Sequence, residues 1–263
     1  MADEVETTDP LFATTRAERL VARQVYEPLV SLQSGPFGQT RRLPGVVRSL
    51  RSQRQATMWI ARLRPGIEFG DGERLDADAV KANVARWIEL EQGRRLLAGL
   101  AFVDSPRPGI VRFFLERPQA AFAGTLARAE FGLVAPRAIA AAAGGEVRRP
   151  QAGAGPFELR EREGEKLLLA RNSAWWGTAL GLGPGVDQIE VLGEEGAKLR
   201  AEQLDTGLVQ VADAIRSTAI DGNPGLTTVA GRSAAIAVER SVRGIGSAVA
   251  TQPLADVWLT DLR

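Results

Sequence analysis

Residues 63–80 read LRPGIEFGDGERLDADAV, and this stretch decides the fold prediction. The broadly alternating residues from Thr57 to Arg64 are typical of a β-strand, which the following Pro-Gly pair ends. Asp71-Gly72 favours a tight turn, because glycine readily adopts positive φ. Asp76 is then the expected N-cap of a helix, and the apolar spacing after it predicts that this helix covers Ala77–Gln92.

A second informative stretch, residues 153–159, reads GAGPFEL. Its glycines predict a structural turn, since the Lys-Ser/Thr that would complete a phosphate-binding loop is absent. The turn leads into a predicted hairpin with strands at Phe157–Arg162 and Lys166–Arg171. The aromatic triplet Trp175-Trp176-Gly177 follows the hairpin.

The rest of the chain alternates irregularly between helical and strand-like patterns. Further helices are predicted at Arg16–Tyr26, Ala120–Arg128, Pro136–Ala143 and Glu195–Leu204. Further strands are predicted at Leu29–Leu32, Ile110–Leu115, Ile189–Leu192, Val209–Ala212, Thr227–Ala230, Ala235–Glu239 and Val257–Leu259. This order indicates an α/β fold, in which helices flank a mixed, twisted sheet.

Composition excludes several classes of function. The 263 residues include no Cys and no His, so neither a thiol nucleophile, nor a Ser-His-Asp triad, nor a Cys/His zinc site can form. We also expect no metal and no cofactor. The net charge of +1 argues against a nucleic-acid partner.

No apolar run approaches the ~20 residues that span a bilayer, and the polar start, Met1–Thr8, is not a secretory signal. The chain is therefore either cytoplasmic or separated from a leader.

The motifs, in their order, resemble those of the family 5 extracellular solute-binding proteins. Asp9-Pro10 and Tyr26-Glu27-Pro28-Leu29 are similar to the opening of that family. Residues 63–80 are similar to its turn-and-helix signature, although Gly70 stands where the family usually has His. Residues 153–159, followed by Trp175-Trp176-Gly177, resemble its Gly-Thr-Gly-Pro-Tyr motif and the aromatic-Trp-Gly after it.

Two segments near the end, Arg240–Ile245 and Leu254–Leu259, resemble the closing segment of the family. Only a short stretch, Ile215–Glu239, stands where full-length members have a second lobe. The resemblance thus implies that residues 1–263 form one lobe, lobe I, without the second lobe. We expect a smaller subdomain at residues 45–144 within it.

The resemblance implies solute binding without catalysis, as the binding component of a peptide-type ABC importer. The implied location is periplasmic or extracellular, with membrane attachment through a leader or lipid anchor outside this chain. The implied partners are a peptide or other small solute and an ABC permease. Because half a cleft leaves a ligand uncovered, a homodimer through the exposed cleft face is a further hypothesis. The alternative is an interaction or scaffold protein. The third alternative is a carboxylate-based hydrolase, which needs two acidic side chains close together in a cleft. No spacing of acidic residues in this sequence suggests such a pair.

The resemblance places the candidate ligand-binding residues, Tyr26 and Glu27, after the first helix, where family members turn toward the ligand cleft. Trp175 and Trp176 are the second candidate pair, as an exposed aromatic platform. Structural alternatives stay open for all four: Tyr26 in the core, Glu27 solvated, and the two tryptophans as core and cap of the hairpin. The pair Asp76 and Asp78 is explained by helix capping rather than by metal binding.

Overall fold

A computed structural model describes residues 4–34, 40–43, 45–148, 152–164, 166–182, 184, 186–193, 196–206, 211–215, 226–230 and 235–239. The helices in this part of the chain are α1 (Arg16–Val25), α2 (Ala77–Glu89), α3 (Glu91–Leu96), α4 (Phe122–Thr125), α5 (Pro136–Ala142) and α6 (Ala197–Asp205). The strands are β1 (Ser31–Ser34), β2 (Thr40–Leu43), β3 (Val47–Gln53), β4 (Met58–Leu63), β5 (Leu100–Arg107), β6 (Ile110–Leu115), β7 (Phe157–Glu163), β8 (Lys166–Arg171), β9 (Gln188–Val191), β10 (Val211–Ile215), β11 (Leu226–Ala230) and β12 (Ala235–Glu239).

The described strands form four sheets. Their orders are β1-β2, β3-β4-β6-β5, β7-β8-β9 and β10-β12-β11. The α/β class is confirmed, but all pairings among these strands are antiparallel, where a mixed sheet was expected. The physical reason is the length of the connections: β3-β4, β5-β6 and β7-β8 are joined by short turns, and a parallel pair needs a long crossover.

Helix α1 begins with a capping box. The Thr15 hydroxyl accepts from the Glu18 N–H, and the Glu18 carboxylate accepts from the Thr15 N–H at 2.9 Å. The helix ends where Tyr26 turns to extended backbone, two residues before Pro28. The predicted helix was therefore correct to within a residue, while the strand expected at Leu29–Leu32 lies two residues later, at β1.

The predicted N-cap of α2 is confirmed, because Asp76 Oδ1 accepts from the N–H groups of Asp78 and Ala79 at 2.9 and 3.0 Å. The prediction of one helix over Ala77–Gln92 was wrong at its end. Leu90 is extended, and α3 starts after it. This break brings Gly93 so close to the backbone of Trp87 that a Cβ on Gly93 would overlap it.

The helix expected at Ala120–Arg128 is reduced to α4. Beyond it the chain continues as tighter turns, in which the Ala127 N–H donates to the Gly124 carbonyl at 3.2 Å. A glycine in the middle of the segment favours this shortening, because glycine is a poor helix former.

The sequence did not predict strands β2, β3 and β5. Edge strands such as β3 and β5 expose both faces and therefore lack a clean apolar-polar alternation.

One continuous apolar cluster joins α1, α2, the four-stranded sheet and the β7-β8 hairpin. The Trp87 and Phe131 rings lie 4.8 Å apart within it, and Phe113 contacts Phe122 edge to face at 5.6 Å. The predicted subdomain of residues 45–144 contains the four-stranded sheet and α2–α5. Since the core runs across both ends of that range, its boundaries stay a prediction.

Several expectations lie outside the described residues. They are the two segments that resemble the family's closing segment, Arg240–Ile245 and Leu254–Leu259, the latter with the strand expected at Val257–Leu259. None of the helices in the described ranges is both long and apolar enough to cross a membrane.

Candidate functional site

Tyr26 and Glu27 leave the end of α1 in extended conformation and then point to different surroundings. The Tyr26 side chain is buried in the apolar cluster and packs closely against Gly132. A Cβ added to Gly132 would lie 2.6 Å from the Cβ of Tyr26. Burial, reinforced by the charge of Asp9, raises the pKa of the Tyr26 hydroxyl well above its ordinary value. The structure thus places Tyr26 in the core, the structural alternative left open above.

Glu27 is buried beneath the two tryptophans, not solvated as its structural alternative supposed. The Trp175 indole N–H donates to Glu27 Oε2 at 3.2 Å, and the Trp176 indole N–H donates to the same oxygen. Trp175 is buried and Trp176 is partly exposed, with their ring centroids 5.4 Å apart. Three of the four predicted site residues therefore meet in one cluster. The Glu27 carboxyl group is its buried member, and the Trp176 indole is its partly exposed member.

The carboxyl group of Glu27 is strongly perturbed. Burial raises the pKa of Glu27 from 4.5 to about 7, against the smaller lowering effects of the two indole donors and of Arg64. The cause is the low polarity of the site, which penalises the charged form. Near neutral pH the protonated and ionised forms of Glu27 are both populated.

Arg64 adds a positive charge to this cluster. Its guanidinium carbon lies 4.7 Å from the centroid of the Trp176 ring, within the range of a cation–π contact. Its Nε donates to the Gly45 carbonyl at 2.7 Å, which fixes the direction of the side chain. Arg64 is partly exposed and forms no ion pair with any described residue.

The Gly-rich loop holds the end of α1 in place. The Gly155 N–H donates to the Val25 carbonyl at 2.9 Å, and a Cβ on Gly155 would lie 2.5 Å from the Gln24 carbonyl oxygen. A Cβ on Gly153 would overlap the Val25 carbonyl, so the backbone approach requires glycine at both positions. The Gly70 N–H donates to the Gly153 carbonyl at 2.8 Å, so the turn after β4 contacts the same loop.

Asn172 connects the Gly-rich loop to the tryptophans. Its Nδ2 donates to the Gly155 carbonyl at 3.0 Å, and its Oδ1 accepts from the Ala174 N–H at 3.0 Å. The second bond closes an Asx-turn that directs the chain toward Trp175. The motifs that were separate in the sequence thus assemble one site around Glu27.

Sequence reasoning missed three features of this region. Arg64 and Asn172 were quoted within motifs but not assigned to the site, and their roles depend on contacts that no spacing reveals. The third is a buried ion pair in which Asp9 accepts from both terminal nitrogens of Arg86 and from the Val147 N–H. A charged residue on the apolar face of α2 was the available signal for Arg86.

Among the described residues, no cluster of three or more His, Cys, Asp or Glu side chains could hold a metal ion. The arrangement at Glu27 offers hydrogen-bonding groups, an aromatic surface and a cation, which together suit non-covalent recognition of a small molecule.

The fold is shared with solved solute-binding proteins. The chain is similar to the periplasmic binding protein AgaA of A. tumefaciens R10, solved with agropinic acid, with a TM-score of 0.77, 21 % identity, and coverage of 87 % of this chain and 46 % of AgaA. This likeness confirms a periplasmic-binding-protein fold.

Sequence relatives point the same way. The chain is 27 % identical over 227 residues to the probable D,D-dipeptide-binding periplasmic protein DdpA of Escherichia coli K12, covering 81 % of this chain and 42 % of DdpA. It is 26 % identical over 235 residues to the glutathione-binding protein GsiB of the same strain, covering 86 % of this chain and 44 % of GsiB. The chain therefore spans less than half the length of these relatives.

The profile of the bacterial extracellular solute-binding proteins, family 5 Middle, matches residues 43–243. The chain belongs to the family 5 bacterial extracellular solute-binding proteins, and the resemblance stated from its motifs is confirmed.

Proposed function

We propose that this chain binds a small, peptide-like solute, without catalysis, at the cluster of Glu27, Trp175, Trp176 and Arg64. The observation that supports this most directly is the assembly of the cluster: two indole N–H groups meet on one buried carboxyl oxygen beside a cation with no ion-pair partner among the described residues. Trp176 is the member that can present an aromatic face to a solute, because it is partly exposed.

The peptide-like class follows from the relatives. DdpA is named for binding a D,D-dipeptide and GsiB for binding glutathione. Both ligands are short chains with amide bonds and ionised ends. The Arg64 guanidinium can pair with an ionised end of such a ligand through hydrogen bonds and charge, and the partly exposed Trp176 ring can pack against the rest of it.

Family membership supports a transport role outside the cytoplasm. In this proposal the chain delivers its solute to an ABC permease, in the periplasm or at the outer face of the cell, and a leader or lipid anchor attaches it to the membrane. A second lobe would complete the cleft. Dimerisation through the cleft face is the other way to cover a solute; it stays a prediction, and sedimentation equilibrium tests it.

A role as an interaction module is the second candidate, and one surface favours it. Phe102 is 55 % exposed and stacks on Phe114 at 4.2 Å, on the outward face of the four-stranded sheet. Exposed aromatic surface marks a protein contact site when it belongs to a larger apolar patch, and Phe102 with the partly buried Phe114 would be the centre of such a patch.

A matched pair of variants separates the two functions. Thermal unfolding would be followed with dipeptides and tripeptides at millimolar concentration, since ligand binding raises Tm even for weak binders. Solute binding predicts that peptides raise the Tm of the wild type and of Phe102→Leu but not that of Trp176→Leu. If no peptide changes the Tm of the wild-type chain, the solute-binding proposal is rejected and the interaction module is favoured.

A further inference from the structure

Arg64 is the basic residue of the candidate site, and its side chain is held by two contacts. It directly follows β4, its backbone N–H donates to the Val46 carbonyl at 2.9 Å, and its Nε donates to the Gly45 carbonyl at 2.7 Å. The guanidinium plane is further restrained by the Trp176 ring at 4.7 Å. Two contacts therefore restrain a side chain that is normally flexible, and a restrained guanidinium loses less entropy when it binds a partner.

The guanidinium of Arg64 has unused hydrogen-bonding capacity among the described residues. No carboxylate of the described residues lies within ion-pair distance of it. The charge of Arg64 lowers the pKa of the nearby Glu27 carboxyl group. Glu27 is buried, however, and accepts hydrogen bonds from the two indoles rather than from Arg64. The terminal nitrogens of Arg64 make no hydrogen bond to a described residue, so they are available to an acceptor from outside.

We infer that Arg64 determines the charge specificity of the site by binding a carboxylate of the solute, while the Trp176 ring holds the guanidinium through the cation–π contact. This inference rests on the proposed function and names one end of the solute. A guanidinium with both terminal nitrogens available matches a carboxylate through two parallel hydrogen bonds. A solute with an amide at that end would lose the charge and the second of those bonds, and a solute with a cation there would meet a like charge.

Paired peptides and paired variants test the inference. The probe is dialanine in three forms: the free acid, the C-terminal amide, and the N-acetylated free acid. Calorimetric titrations of the 263-residue chain would compare wild type, Arg64→Lys, Arg64→Gln and Arg62→Gln. Arg62→Gln is the matched control, because Arg62 is an exposed residue of β4, two positions before Arg64, and its replacement removes the same charge.

The inference predicts that both free acids bind the wild type about 10- to 100-fold more tightly than the amide, as expected for hydrogen bonds to a charged group. Arg64→Gln should abolish this preference, Arg64→Lys should reduce it, and Arg62→Gln should preserve it. If the acid and the amide bind equally in the wild type, or if the preference survives in Arg64→Gln, the inference is wrong although solute binding stands. If no form binds, the proposed function fails, and the inference fails with it.

Discussion

Replacing Glu27 by Gln removes a buried carboxyl group whose pKa burial raises from 4.5 to about 7. A folded-state pKa above the unfolded-state value means that the native chain keeps a proton that the unfolded chain has released. The stability contributed by this proton is complete below about pH 4.5, falls as the pH rises, and is lost above about pH 7. The difference between the two pKa values corresponds to ~3 kcal/mol, since one pKa unit is about 1.4 kcal/mol.

The assay is urea unfolding of wild type and Glu27→Gln at several pH values, followed by tryptophan fluorescence. Glutamine stays neutral, and its amide oxygen can accept from both indoles. The free energy of unfolding of the variant, relative to wild type, should therefore rise by about 2 to 3 kcal/mol between pH 5 and pH 8. Taking the difference between the two proteins cancels the titration of the other groups.

A control with the opposite sign is available in Glu18→Gln. Burial alone would raise its pKa, but N–H donors led by those of Thr15, Thr14 and Thr7 lower the pKa of Glu18 below its ordinary value. That carboxylate stabilises the fold above its unfolded-state pKa, so Glu18→Gln should lose stability relative to wild type as the pH rises. A pH-independent difference between wild type and Glu27→Gln would refute the reasoning about Glu27.

Further variants test how the site is held together. Gly153→Ala should cost about 1–3 kcal/mol or more, because its Cβ would overlap the last carbonyl of α1, while the Cβ of Gly109→Ala meets nothing within 4 Å and should leave Tm nearly unchanged. Asp9→Asn should cost about 3–5 kcal/mol in urea unfolding, because Arg86 stays buried without its counter-charge. Asp78→Asn, which removes an exposed pair with a lysine, should cost below ~1 kcal/mol in the same assay.

Elements with strong local signals could be predicted from the sequence. Helix α1, the N-cap at Asp76, strand β6 and the β7-β8 hairpin follow from capping residues, periodicity and turn chemistry within a few residues of each other. The end of α2 could not be predicted, because close packing around Gly93 outweighs apolar spacing, whereas the glycine within the α4 segment was an available signal for its shortening. Strands β3 and β5 owe their conformation to pairing with β4 and β6 rather than to their own alternation.

The candidate site divides in the same way. Glu27, Trp175 and Trp176 could be named because they lie in motifs shared with a family. The hydrogen bonds of both indoles to one oxygen of Glu27 could not be predicted. They join residues that are 148 and 149 positions apart in the sequence. Tyr26 shows the limit of motif reasoning, because its neighbour in the sequence belongs to the site while its own ring belongs to the core.

The most direct test of solute binding at this cluster is the indole N–H resonance of Trp176 in a ¹⁵N-labelled chain, assigned through Trp176→Phe and titrated with free-acid dialanine. Binding beside Trp176 predicts a saturable shift of this resonance, a smaller shift for Trp175, and none for the core residue Trp87. A saturable shift at Trp87, or heat of binding with the Trp176 resonance unchanged, would place the solute elsewhere and contradict the proposed site.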